Sequence, residues 1–187
     1  MTETLLLNSL VGSHAHGLAT AESDWDWRGV YVAPTAELLS LNTKYKGTHW
    51  QEGDIDNTSY EIGHFLHLAT KSNPSILEVL RSPTIDVAEG YEEIAAELIS
   101  LFPYVWSSKD VYNSHRGYGH NQRKKLFDDP YGPRARKYSG AWLRSLYNGY
   151  TLLSTGDFSL SVIGTPVEQI LRDWRNPAFK LDPSEVV

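Results

Sequence analysis

Two rhythms of apolar residues divide the chain. In the first hundred positions, short apolar runs are broken by turn-forming residues. Thr4–Val11 is one such run and predicts a first strand, and Asp24–Val32 predicts a second, stopped by Pro34. Asp56–Ile62 predicts a third, Thr84–Val87 a short last one, and Tyr45–Gln51 a further strand on thinner support. Helical spacing fits between them. His14–Glu22 is rich in small residues and suits a short helix or helix-like turn limited by Gly17; Thr35 is placed to cap Ala36–Leu41. Phe65, Leu66, Leu68 and Ala69 form an apolar stripe. Asn73-Pro74 is a cap followed by proline at a first helical position, so Ser75–Arg81 is a helix that Pro83 stops. Tyr91–Leu101 is amphipathic.

After Pro103 alternation disappears and helical spacing dominates, with helices expected over about Lys109–Phe127 and Pro133–Thr155 and from Pro166 to Trp174, and an irregular tail after Pro177. The expectation is an α+β fold: a small mixed β-sheet with flanking helices over 1–101, followed by a helical bundle over 102–187. Internal repeats and low-complexity segments are absent from the sequence.

Composition changes this picture in several places. The 187 residues suffice for a sizeable buried core. Cysteine is absent, which removes disulfides, thiolate metal ligands and a thiol nucleophile, and fits a reducing cytoplasm. The apolar run at the N-terminus is too short and acidic for a signal peptide, and no segment is long enough to span a bilayer, so a soluble cytoplasmic protein is expected. The net charge of −6 argues against a general nucleic-acid coat. Charge is nevertheless uneven. From Arg116 to Arg144, eight basic residues face two acids, Asp128 and Asp129, a local +6 that leaves −12 for the rest. A basic face on an acidic body follows.

The chemistry concentrates in Val11–Val32. Gly12-Ser13 is followed after ten residues by Asp24-Trp25-Asp26-Trp27. Residues two apart on a strand point the same way, so Asp24 and Asp26 share a face. Two close carboxylates on one face call for a cation, and hard oxygen ligands suit Mg²⁺. The Gly-Ser turn can hold phosphate oxygens. Alternatively, the acids are solvent-facing strand residues and the Gly-Ser an ordinary turn. Glu61, an acid between Tyr60 and Ile62, is the expected third carboxylate, with Asp54 and Asp56 as competitors. His14 and His16 suit either a metal or a substrate phosphate. His64 and His67, three apart on a helix, more simply serve as ordinary surface or satisfied histidines. Arg28 is expected in a structural salt bridge. Lys137 and Arg144, seven apart, share a helix face with Tyr138 and Trp142 interleaved. That face could grip a triphosphate or stack a base, or be a solvated charge run. No Ser sits in a Gly-x-Ser-x-Gly elbow.

Hydrophobic-Gly-Ser, about ten residues, then Asp-hydrophobic-Asp resembles the DNA polymerase beta-like nucleotidyltransferases. GSHAHGLATAESDWDWRGVYVAP, KSNPSILEVLRSP, RGYGHNQ and the stretch Lys137–Arg144 resemble one branch, the RNA repair pathway DNA polymerase beta family. The resemblance implies a polymerase beta-like core and a metal-dependent transfer of NMP from an NTP to an acceptor hydroxyl, with release of pyrophosphate. It implies two Mg²⁺ ions (Mn²⁺ as an alternative) held by Asp24, Asp26 and Glu61. Nucleotide would be held by Gly12, Ser13, Lys137, Tyr118 and Arg144, with Gln122 beside Tyr118 in the matched block. The family name implies an RNA or tRNA end as acceptor. Two histidines stand where the family usually has Arg and Tyr, and a Glu where it often has Asp. Competing functions are adenylylation of a protein or small molecule, and a non-catalytic NTP- or RNA-binding module.

Overall fold

A computed structural model describes residues 3–40, 48–52 (backbone alone), 55–176 and 178–179. The sheet grows from β1 (Thr4–Val11), whose Leu6, Leu7, Leu10 and Val11 are all buried. Burial on successive residues means that both faces of this strand are covered. β2 (Trp25–Val32) runs antiparallel beside it, and β5 (Ile85–Val87) pairs antiparallel with its other edge. β4 (Ile55–Glu61) lies parallel to β2, and β3 (Thr48–Glu52) closes the far edge, giving the order β3-β4-β2-β1-β5. The sheet is thus mixed, as the family resemblance implies. Of the strand expected at Tyr45–Gln51, residues 45–47 lie outside the described residues.

The helices agree with their local signals where capping chemistry is strong. α3 (Ile62–Ala69) starts at Glu61, whose Oε2 accepts from Gly63 N at 2.7 Å and His64 N at 3.1 Å. α4 (Pro74–Leu80) starts at Asn73, whose Oδ1 accepts from Ser75 N at 3.0 Å, with Pro74 in the first turn. Each such cap contributes about 1 kcal/mol. α5 spans Glu92–Ser100. Where the signal is weak the helix is shorter than expected. After Val11 a single turn, α1 (Gly12–Ala15), stands in place of His14–Glu22, and Gly17 at φ +69° turns the chain away. α2 covers Thr35–Leu38, with Thr35 inside it and no side-chain cap.

α6 (Ser108–Asp128) and α7 (Ala135–Thr155) form a long helical hairpin, and α8 (Glu168–Arg175) packs on α7. Gly149 lets the hairpin close: a Cβ there would lie 2.9 Å from the Cβ of His115. The stretches before and after residue 101 differ in element type, yet they share one buried cluster. Val111, Leu152, Phe158 and Leu160 pack with Leu7, Val30 and Phe65 of the sheet layer. A smaller cluster of Leu18, Val162, Val167 and Leu171 ties the chain after α1 to α8. Thus α7 and α8 come to lie over the end of β2 that carries the acids.

Candidate nucleotidyl-transfer site

Asp26 pairs with Val11 across the β1–β2 ladder, so its carboxylate projects beside the first residue of α1. Gly12 there has φ +65°, and a Cβ on it would collide with the Asp26 carboxyl group. Glycine is therefore required twice, for the left-handed backbone and for the space. Ser13 follows, and its Oγ is buried without a hydrogen-bond partner. A buried hydroxyl left unpaired is costly and marks a place where a polar ligand would be welcome. Asp24 immediately precedes β2 and is partly buried.

These four residues line one cleft of about 390 Å³. Lys137, Gly140 and Arg144 of α7 and Leu171 and Arg175 of α8 also line it. The seven-residue spacing of Lys137 and Arg144 puts both on the cleft face, as the helical period requires. Arg136 lines the cleft too, but its guanidinium donates to the carbonyls of Trp174 at 2.9 Å and Phe179 at 2.6 Å. It anchors the chain beyond α8.

The acids feel one another. Burial raises the Asp26 carboxyl above the usual carboxylate range, and the Asp24 and Asp56 charges raise it further, while Lys137 and Arg28 pull it back. Burial also lowers the Arg175 guanidinium from its ordinary value, against the pull of Asp24 and Asp26. The cleft thus sets Asp26, a carboxyl group with raised proton affinity, opposite the cations Lys137, Arg144 and Arg175.

Glu61 does not join this cluster. In the parallel β2–β4 register it stands beside Tyr31, whereas Asp56 stands beside Asp26. Five residues separate the two positions, about 16 Å along a strand. The Glu61 carboxylate is buried and capping α3. Glu61, the acid expected as third ligand, thus lies away from Asp26, whereas Asp56 sits beside Asp26 in the register and on the same face; Asp54 lies outside the described residues. Tyr118 is also displaced from its expected place. It lines a smaller polar cavity, and Arg144 is the lining residue common to that cavity and the cleft. Gln122 is buried and is not among the cleft-lining residues.

The histidines are engaged in structure. His14 stacks on Trp25 with ring centroids 3.8 Å apart, and its Nε2 lies 3.2 Å from the carbonyl of Ser23. It steadies the loop that delivers Asp24. His16 is buried with Nδ1 2.9 Å from the carbonyl of Leu160, and burial, aided by the charge of Arg144, lowers its pKa to about 4. Arg28 makes its expected ion pair, 3.2 Å from Glu78.

Residues 2–158 match the RNA repair pathway DNA polymerase beta family. The chain belongs to that family. Gly12, Ser13, Asp24, Asp26, Lys137 and Arg144 all fall within the matched span; Arg175 lies beyond it, which is why no family motif pointed to it. Two further relatives are similar over shorter stretches. The uncharacterized 38.9 kDa protein of the nrdC-mobD intergenic region of Enterobacteria phage T4 is 30% identical over 86 residues, covering 42% of this chain and 26% of that one. The uncharacterized protein MJ0002 of Methanocaldococcus jannaschii is 27% identical over 153 residues, covering 79% of this chain and 59% of that one. The family member described here thus aligns with between a quarter and three fifths of the length of these relatives. A solved nucleotidyltransferase-like protein from Exiguobacterium sibiricum is similar with a TM-score of 0.38 and 9% identity, over 98% of this chain and 65% of that one.

Whether the cleft suits a metal can be judged from its donors. Among the described residues, no three His, Asp or Glu side chains converge as a ready-made cage. Mg²⁺ does not need one: it is commonly held by one or two carboxylates plus substrate phosphates and water. Asp24 and Asp26, with the raised proton affinity of Asp26, fit that use. No described helix is long and apolar enough to cross a membrane.

Proposed function

We propose that this protein is a metal-dependent nucleotidyltransferase that moves NMP from an NTP to an acceptor hydroxyl and releases pyrophosphate. One observation carries the proposal: Asp24 and Asp26 share a cleft with the unpartnered Ser13 hydroxyl, opposite Lys137, Arg144 and Arg175. A triphosphate is the ligand that such a pairing of acids and cations fits. Its metal ions, Mg²⁺ or Mn²⁺, would be held by Asp24 and Asp26, with Asp56 adjacent. When bound, such ions neutralise phosphate charge and acidify the attacking hydroxyl.

The chain's own residues do the rest. Ser13 Oγ donates to a phosphate oxygen, and Gly12 lets the phosphate approach the backbone. Lys137, Arg144 and Arg175 balance the charge that gathers on the leaving pyrophosphate. The acceptor oxygen bonds to the α-phosphorus as the bond to the bridging oxygen of pyrophosphate breaks. The hydroxyl proton passes to one of the carboxylates beside the α-phosphate, Asp24 or Asp26. An RNA end, tRNA included, is the acceptor that the basic Arg116–Arg144 stretch and the family's RNA-repair description favour.

Pyrophosphate release measured with Mg²⁺ and each NTP in turn, wild type against Asp26→Ala, tests this. Equal rates remove the enzymatic proposal, and tight NTP binding without turnover assigns a binding module instead. Labelled ATP in a lysate, followed by RNase or protease, identifies the acceptor: loss of label to protease alone assigns a protein substrate.

A further inference from the structure

The cleft has a second polar space behind it. Its volume is about 20 Å³, and Ser75, Glu78, His115, Tyr118, Arg144 and Asn148 are among its walls. That is room for about one water molecule with several polar partners. Arg144 is the residue common to this space and the cleft, and its Nε is buried without a hydrogen-bond partner. An enclosed charged donor left unpaired costs more than a neutral one, so an acceptor within reach matters. Glu78 is the carboxylate lining the small cavity.

Glu78 is also immobilised. Arg28 Nη1 donates to its Oε2 at 3.2 Å and to the carbonyl of Ser75 at 3.3 Å. Arg28 lies two residues after Asp26 on β2, and so on the face that carries the acids. A chain of charges thus runs from the acidic strand through Arg28 and Glu78 to the guanidinium at the basic wall.

We propose that Glu78 is a positioning residue: across this cavity its carboxylate accepts from one water that in turn accepts from Arg144, and so holds the guanidinium at the cleft. The anion grip of the cleft then depends on a side chain that does not line it. The proposal rests on the functional assignment above only for the identity of the anion. Burial disfavours the Arg144 cation most; among the ionisable groups around it Glu78 is the main one that favours it, Arg175 opposes it, and Asp26 adds a weaker attraction from the cleft side.

Two measurements on the full chain test it. The first is hydrogen exchange of the Arg144 Nε–H by NMR, which needs no substrate. In Glu78→Gln this signal is expected to exchange at least about ten-fold faster than in wild type; unchanged exchange in the folded variant overturns the proposal. The second is calorimetric binding of inorganic triphosphate with Mg²⁺. Glu78→Gln and Arg144→Gln are each expected to weaken it about ten-fold, and the double variant no more than Arg144→Gln alone, as for two residues acting as one unit. Additive losses, or a Glu78→Gln variant that merely melts earlier and binds normally, overturn it. Should Glu78→Gln fail to fold, Glu78→Asp keeps the charge but withdraws it by one methylene, and an Arg144 Nε–H as protected as in wild type then overturns the proposal. A wild type that binds triphosphate but releases no pyrophosphate from NTPs defeats the enzymatic assignment and leaves the role of Glu78 standing.

Discussion

The two ends of the β2–β4 pair carry the same kind of side chain and treat it in opposite ways. At one end Asp26 and Asp56 lie side by side, next to Asp24, with Gly12 beneath and a cleft in front. At the other, Glu61 stands beside Tyr31, buried, its carboxylate turned onto two backbone N–H groups of α3. The first end raises the proton affinity of a carboxyl group and leaves it open to a ligand. The second spends its carboxylate on a helix terminus. An acid's role is set by what already satisfies it. Glu61 Oε2 is held by two backbone donors at the start of α3, whereas Asp26 sits in a crowd of acids.

The sharpest way to break this contrast is to neutralise the open end. Asp26→Asn should lower pyrophosphate release by about 10²–10³-fold, the usual scale for losing a charge-stabilising group. Its effect on stability has the opposite sign. A carboxyl group whose folded-state pKa is raised stabilises the fold when protonated and loses that contribution as pH rises through the raised value. At neutral pH the variant should therefore melt higher than wild type. A lower melting point and an unchanged rate would together refute the assignment.

A histidine gives the next largest effect. His16 titrates at about 4 in the fold, against 6.5 for the free side chain. Its depressed value means that the stability it allows is complete above pH 6.5 and is lost progressively as pH falls toward 4. The loss amounts to about 3 kcal/mol, from 1.36 kcal/mol for each pKa unit. Urea denaturation from pH 7 to 4 should show this slope, and His16→Gln should flatten it. At the open end, Gly12→Ala forces a side chain into a left-handed backbone and onto the Asp26 carboxylate. It should cost about 1–3 kcal/mol in urea denaturation and reduce NTP turnover with it. The smallest effect separates the two acids of β4. Glu61→Ala should cost about 1 kcal/mol of stability through the lost cap and leave pyrophosphate release within two-fold of wild type. Asp56→Asn should do the reverse, slowing release without a matching stability loss. If the two variants exchange these effects, Glu61 is restored as the third acid.

Much of the fold was legible because its signals are local. The apolar runs at Thr4–Val11 and Asp24–Val32, the Asn73-Pro74 cap and the long helical spacing after Pro103 each depend on neighbours within a few residues. The site was legible where spacing alone decides geometry: Asp24 with Asp26 on one strand face, Gly12 with Ser13 in one turn, Lys137 with Arg144 on one helix face. It was not legible where two distant segments must align. Nothing local in the residues around Glu61 or Asp56 states which of them pairs with Asp26, and nothing in Tyr118 states which side of Arg144 it reaches. Arg175 carries no local signal of its own; packing around Leu18 and Leu171 brings it to the cleft.

By itself, then, the order of residues determined the strands, the caps, the acid pair and the cationic helix face, because hydrophobic period and side-chain chemistry act over one or two turns of chain. Tertiary structure alone decided that Asp56 stands beside Asp26, that Arg175 reaches the cleft and that Arg28 pairs with Glu78. Those depend on strand register and helix docking, which are settled by the burial of whole faces against one another and not by any neighbour in sequence.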